Sequence, residues 1–166
     1  MNLVEEGFDA VIRLGPLPDS SLAGRRVSRG RHVLCASPAH LARHGTPGSL
    51  EEVARQPALV LATSESRARW PFRWRGRPRL VAPKATLLTN DAGLLHKSAL
   101  AGAGLTVLPS YLVDSDLAAG NLVEILPGAR LPFWEAHVLH ASRRHVAGKV
   151  RAFIDFLVAR RGPPGA

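Results

Sequence analysis

Three scarcities narrow the field before any motif is read. Cysteine occurs once, at Cys35, so no internal disulfide can form and the fold must rest on its apolar core; a lone thiol fits a reducing compartment. No apolar run approaches the roughly 18 residues of a membrane-spanning helix. The opening Met1-Asn2-Leu3-Val4-Glu5-Glu6 lacks the basic and apolar regions of a signal peptide. The expected location is therefore cytoplasmic, with no membrane partner. Catalytic signatures are scarce as well. There is no Gly-x-Ser-x-Gly elbow, His-Glu-x-x-His pair or Gly-x-x-x-x-Gly-Lys loop. Gly102-Ala103-Gly104 opens like a dinucleotide loop, but Val107 stands where the third glycine belongs, and the stretch precedes its strand instead of following it. No enzyme and no cofactor are expected.

The 166 residues are 46% hydrophobic and 21% charged, enough for one domain with a real core or for two small lobes, and too apolar for a disordered chain. The net charge is +9, and Lys84, Lys97 and Lys149 are the only lysines among 22 cationic side chains. Net charge reports non-specific attraction to polyanions and not a fold or a site, so it reads first as arginine spread over solvated faces.

Short apolar runs alternate with helical patterns. Phe8 to Leu14 ends at Gly15-Pro16 and reads as a buried strand. Arg25 to Cys35 is a second strand region. Ser37-Pro38 is a cap and first-turn proline for a short helix, Ala39 to His44, closed by Gly45. Ser49-Leu50-Glu51-Glu52 has capping-box spacing, and Pro57 bounds that helix. Strands follow at Ala58 to Ala62, at Trp70 to Trp74, and at Leu80 to Thr89 after an Arg75-Gly76-Arg77-Pro78 turn. Asn90-Asp91 caps a helix from Ala92 to Ala101, stopped by Gly102. Leu105 to Leu108 is a strand, and Pro109 opens a helix reaching Ala119-Gly120. Leu122 to Leu126 and Trp134 to Leu139 are further strands. In the last helix Val150, Phe153, Ile154, Leu157 and Val158 trace one apolar stripe. The alternation indicates an α/β fold.

The succession Glu5-Glu6-Gly7-Phe8-Asp9-Ala10-Val11-Ile12-Arg13-Leu14-Gly15-Pro16-Leu17-Pro18, then Val33 to Leu41, Leu88-Thr89-Asn90-Asp91, Ala99 to Pro109, Asp116 to Val123 and Lys149 to Leu157 resembles the effector-binding domain of LysR-type transcriptional regulators. Each piece is weak alone, but all of them occur in order. The resemblance implies a periplasmic-binding-protein-like fold of two α/β lobes with an effector held between them. Residues 1–34 and 121–160 would form the first lobe, residues 35–120 the second, and 161–166 a disordered tail. In the family the opening segment lies well inside the domain, so the expectation is an N-terminally truncated chain. The winged helix-turn-helix and the first lobe's opening strand, helix and second strand would be missing, and the first lobe would be incomplete.

The implied function is small-molecule effector sensing, with DNA engaged only through a missing or partner DNA-binding module and a homo-oligomer as the assembly. Effector contacts would come from Arg13, Leu14, Gly15, Cys35, Ser37, Asn90, Asp91, Gly104 and Pro109. Helix starts after strands favour an anion or carboxylate, and Arg13 could hold one as a bidentate donor. Plain capping accounts equally for Ser37 and Asn90. Cys35 reads as a small buried residue rather than a redox sensor. His40 and His44 share a helix face but lack further ligands at a metal-binding spacing, so no metal is expected. Two other functions remain open. One is a free-standing solute-binding protein. The other is a nucleic-acid binder using Arg67, Arg69, Arg73, Arg75, Arg77 and Arg79 interleaved with Trp70, Phe72 and Trp74 as a stacking platform; strand alternation offers instead an ordinary hairpin, with the aromatics packed inward and most arginines pointing to water.

Overall fold

The computed structural model describes residues 8–15, 23–62, 69–140 and 147–159. Much of the opening motif, Arg67 and the expected tail at 161–166 lie outside the described residues. In chain order the first elements are β1 (Ala10–Leu14), β2 (Ala23–Gly30), β3 (His32–Ala36), α1 (Pro38–His44), α2 (Leu50–Arg55), β4 (Pro57–Leu61), β5 (Trp70–Trp74) and β6 (Arg77–Val81). They are followed by β7 (Lys84–Thr89), α3 (Ala92–Leu100), β8 (Leu105–Pro109), α4 (Ser110–Ala119), β9 (Val123–Glu124), β10 (Trp134–His140) and α5 (Gly148–Ala159). The chain forms two units, Met1–Gly30 with Phe133–Ala166, and Arg31–Pro132. The expected lobe divisions at 34/35 and 120/121 fall inside the second unit. Leu122 and Ile125 are buried there, Leu122 beside Val33 and Cys35, and Ile125 beside Leu34 and Ala36.

In the first unit β10 lies between β1 and β2 and runs antiparallel to both. Val27, Ala136 and Val138 on the sheet meet Val150 and Ile154 on α5, with Leu157 and Val158 at the border. Phe153 sits at the margin of the helical stripe and is 42% exposed, so the buried stripe is narrower than its sequence pattern. Across from Gly30 stands Trp134. A β-carbon on Gly30 would lie 2.5 Å from the indole ring, so only glycine admits this aromatic cover. β1 forms an edge of the sheet and leaves Ile12 and Leu14 exposed.

The second unit is built on a five-stranded sheet, β7-β4-β8-β3-β9. β4 is parallel to β7 and β8, whereas β3 runs antiparallel to β8 and to β9. Side chains alternate along each strand, and here both faces are covered. Leu34, Ala36, Ala58, Val60 and Leu105 meet Leu50 and Val53 of α2 and Trp70, Phe72 and Val81 of the β5–β6 hairpin. Val33, Cys35, Leu59 and Leu108 meet Leu95 and Ala99 of α3 and Val113 of α4. The buried Thr106 hydroxyl is satisfied by donating to the Leu59 carbonyl at 3.0 Å.

Two strand regions continuous in the sequence are broken in the structure. The Arg25–Cys35 region divides at Arg31, with β2 in one sheet and β3 in another. The Leu80–Thr89 region divides at Ala82-Pro83: β6 pairs with β5, while β7 joins β4. The expected strand from Leu122 to Leu126 shortens to β9: the Ile125 N–H still donates to the Leu34 carbonyl, and the pairing ends where Leu126 takes a left-handed φ of 47°.

Gly104 enters β8 where a β-carbon would lie 2.8 Å from the Pro57 carbonyl and 3.1 Å from Leu59. Backbone cannot yield as a side-chain tip can, so Gly104→Ala is expected to destabilise the protein by about 1–3 kcal/mol, the usual cost of overpacking. Urea denaturation monitored by tryptophan fluorescence checks this, and an unchanged midpoint would refute it.

Candidate functional site

The parallel strands β4, β7 and β8 bring their carboxyl ends, Leu61, Thr89 and Pro109, to one edge of the sheet. The Ala62 N–H stitches that edge by donating to the Thr89 carbonyl at 2.8 Å. From there the chain enters α3 through Asn90-Asp91 and α4 through Pro109. Asp91 is the cap: one carboxylate oxygen accepts from the amides of Gly93 at 2.8 Å and Leu94 at 3.2 Å, and its own amide donates to the Thr89 hydroxyl. Asn90 is exposed and leaves the capping to its neighbour. α4 follows Pro109 with no side-chain cap and no acidic residue in its first turn. Of the two helix starts at this edge, one is closed by a carboxylate; at the other the Ser110 amide donates to the Arg31 carbonyl at 2.9 Å, and no acidic side chain offsets the positive end of the helix.

Ser37 and Gly104 do not join them. Because β3 runs antiparallel to β8 and pairs Cys35 with Thr106, its carboxyl end lies at the opposite edge of the sheet, beside the start of β8. Ser37 is buried there, its hydroxyl accepting from the His40 amide at 3.4 Å. Nearby the Arg43 guanidinium donates to the Gly102 carbonyl. Cys35 is fully enclosed in the apolar cluster with Val33, Leu59 and Leu95. Burial first, and then the carboxylates of Glu124 and Asp116, push its thiol pKa up to about 12. The nucleophile of thiol chemistry is the thiolate, so Cys35 is inert in the fold. Iodoacetamide at pH 8 should leave it unmodified in the native protein and label it in urea; rapid native labelling would contradict the burial.

Three of the described histidines, His40, His44 and His96, have structural partners. The His40 and His44 rings stack with centroids 4.6 Å apart, and His40 Nε2 shares a hydrogen bond with the Gln56 side-chain carbonyl at 3.0 Å. Burial lowers the His40 pKa below its ordinary 6.5, against an opposing pull from Gln56. The folded state therefore favours neutral His40, and the unfolded chain takes up the proton first. Stability should fall as the pH drops below 6.5, and His40→Gln should flatten that acid-side slope in melting temperature measured between pH 8 and 5. Equal slopes in both proteins would exclude His40 as the source. His96 Nε2 lies 2.8 Å from the Asp116 carboxylate; hydrogen bonds from Asn121 and His96 hold that carboxyl below its usual range. Among the described residues no three histidine, cysteine or carboxylate groups gather as metal ligands.

In the first unit Arg13 stands opposite His137 of β10 and is half-buried, with its Nε buried and lacking a hydrogen-bond partner among the described residues. Leu14 is 58% exposed. Gly15 takes a φ of 97° and donates its N–H to the Glu135 carbonyl at 3.0 Å. A β-carbon on it would meet nothing within 4 Å, so backbone conformation and not space calls for glycine. The sequence missed Ala62 and Thr89 as members of the carboxyl edge, because their meeting depends on the parallel register of β4 and β7.

An open α/β sheet presents ligands to the carboxyl ends of its parallel strands, and the second unit has such an edge with two helix starts upon it. The fold class is an α/β domain with an open sheet edge. The chain belongs to the LysR substrate-binding domain family, whose model matches residues 1–162. It is 34% identical over 166 residues to the HTH-type transcriptional regulator CrgA of Neisseria meningitidis, covering 98% of this chain and 54% of that protein. It is 31% identical over 160 residues to the HTH-type transcriptional regulator DmlR of Escherichia coli, covering 95% and 51%. The chain thus spans about half the length of these curated relatives. The solved structure of the CrgA regulatory domain superposes with a TM-score of 0.83 at 30% identity, covering 96% of this chain and 78% of that one. These relatives are transcriptional regulators. Among the described residues no helix is long and apolar enough to cross a membrane.

Proposed function

We propose that this chain senses a small anionic effector on behalf of a LysR-type transcriptional regulator, with the carboxyl edge of the second unit's sheet as an effector-facing surface. Family membership carries the regulatory reading. The start of α4 at that edge, with no side-chain cap and no carboxylate, supports an anion over a cation or a neutral solute. Pro109 and Asn90 are the proposed contacts there, with Asp91 holding α3 in place beside them. Arg13, Leu14 and Gly15 are candidate contacts on the first unit. Cys35, Ser37 and Gly104 serve the fold of the second unit from inside its core and its opposite edge.

Effector binding switches a regulator only through a difference in affinity between two conformations. Sequence-specific reading of a promoter would belong to a helix-turn-helix module elsewhere in the regulator or in a partner, within a homo-oligomer.

Thermal melts against small aromatic and aliphatic carboxylates and their neutral amides test the reading. A carboxylate that binds the native state adds about 2.7 kcal/mol of stability at a hundred times its Kd, whereas its amide should add far less. Asn90→Ala should leave the ligand-free melt unchanged and weaken that carboxylate by roughly tenfold, the worth of one hydrogen bond. Asp91→Ala should instead lower the ligand-free stability by about 1 kcal/mol through loss of the cap. Equal shifts from acid and amide, or an unaltered affinity in Asn90→Ala, would overturn the assignment.

A further inference from the structure

The positive charge of this protein is not evenly spread. Arg67, Arg69, Arg73, Arg75, Arg77, Arg79 and Lys84 fall between Ser66 and Asn90, a stretch with no aspartate or glutamate. Fifteen cations face thirteen carboxylates in the rest of the chain, so this segment carries seven of the nine net charges. The structure concentrates it further. β5 and β6 form a two-stranded hairpin closed by Arg75 and Gly76, both with positive φ. Arg73 is bridged to Arg130 by reciprocal backbone hydrogen bonds of 2.7 and 3.0 Å, which adds another exposed guanidinium to the group.

Four arginines outside this group find acids. Arg25 reaches Asp155, Arg26 and Arg29 reach Glu135, and Arg31 reaches Glu124. Among the described residues none of Arg69, Arg73, Arg75, Arg77, Arg79 and Arg130 pairs with a carboxylate, and all are exposed. A five-residue strand is about 17 Å long, so these charges lie within a few Debye lengths at physiological salt, each about 8 Å, and act on a polyanion together. Arginine also suits phosphate by its planar, bidentate donor geometry.

We propose that the β5–β6 hairpin is a contact surface for the phosphate backbone of duplex DNA, separate from the effector-facing edge and independent of it. The duplex is chosen over a single strand because the aromatics are already used. Trp70 and Phe72 are 6% and 3% exposed within the core, and Trp74 is half-buried, with the Arg75 guanidinium 5.6 Å over its ring. Bases therefore have no open aromatic platform on which to stack, which single-strand binding depends on. Phosphate contact without base contact is independent of sequence and steeply salt-dependent.

The test is fluorescence-anisotropy titration of a labelled mixed-sequence duplex of about 30 base pairs, across a series of salt concentrations beginning near 50 mM, where phosphate-driven binding is strong. A single strand of equal length runs in parallel. Each lost phosphate contact lowers the slope of log K against log salt by about 0.9. The triple variant Arg75→Asn, Arg77→Gln, Arg79→Gln should thus lose about 2.7 of slope, and circular dichroism should show it folded, because exposed like charges are being removed. A charge-matched control, Arg55→Gln, Lys97→Gln, Arg151→Gln, removes three exposed cations outside the hairpin and should keep most of the slope. Equal losses in the two triples, or no duplex binding by the unmodified protein at the lowest salt, would overturn the proposal. Tighter binding of the single strand with quenching of tryptophan fluorescence would overturn the choice of duplex.

Discussion

Burial of both faces of the β3–β8–β4 sheet is the constraint on which the rest of the second unit depends. A strand covered on one side alternates apolar with polar residues, whereas a strand covered on both sides must be apolar throughout. Val33-Leu34-Cys35-Ala36 and Ala58-Leu59-Val60 are such runs, and each sends alternate residues into two different clusters. One face needs α3 and α4. The other has the short helices α1 and α2, through Leu41, Leu50 and Val53, and the hairpin completes it with Trp70, Phe72 and Val81. A fully buried Phe or Leu is worth about 1.5–3 kcal/mol in transfer from water, so these side chains fix how the hairpin lies. Its arginines are then left to the solvent, because an unpaired buried charge would cost more than the packing contributes.

Strand direction decides what the edges of that sheet can do. Three strands run parallel and bring two helix starts to one edge; β3 runs the other way and carries Ser37 to the opposite edge. The local grammar at Ser37-Pro38 and at Asn90-Asp91 is the same: an apolar strand, a capping side chain and a helix. The two caps nonetheless lie at opposite edges of one sheet. Capping chemistry is a property of four or five neighbouring residues, whereas the edge a cap occupies is a property of strand order.

Much of the fold was legible before the structure. The caps at Ser37 and Ser49, the glycine stops at Gly45, Gly102 and Gly120, and the inward face of Trp70, Phe72 and Trp74 all follow from local rules, and each appears where those rules place it. Breaks at Arg31 and at Ala82-Pro83 were not legible, because the flanking residues favour extended backbone on both sides and only the sheet each strand joins distinguishes them. The buried stripe on α5 is narrower than its pattern at Phe153 for a related reason: the helical pattern shows which residues could be buried, and the breadth of the three-stranded sheet beneath shows which are. Of the candidate site, Asn90, Asp91 and Pro109 do share an edge; Ala62 and Thr89, which complete it, carry no local signal.

The sequence by itself determined the elements, their caps and turns, the family and the local density of positive charge, since all of these are set by residues close together along the chain. The tertiary structure alone decided which candidate residues meet, that the two capped helix starts lie at opposite edges of one sheet, and that the β5–β6 hairpin completes one face of that sheet. Those outcomes depend on the register and direction of strands far apart in sequence, where long-range packing and not local preference sets the free energy.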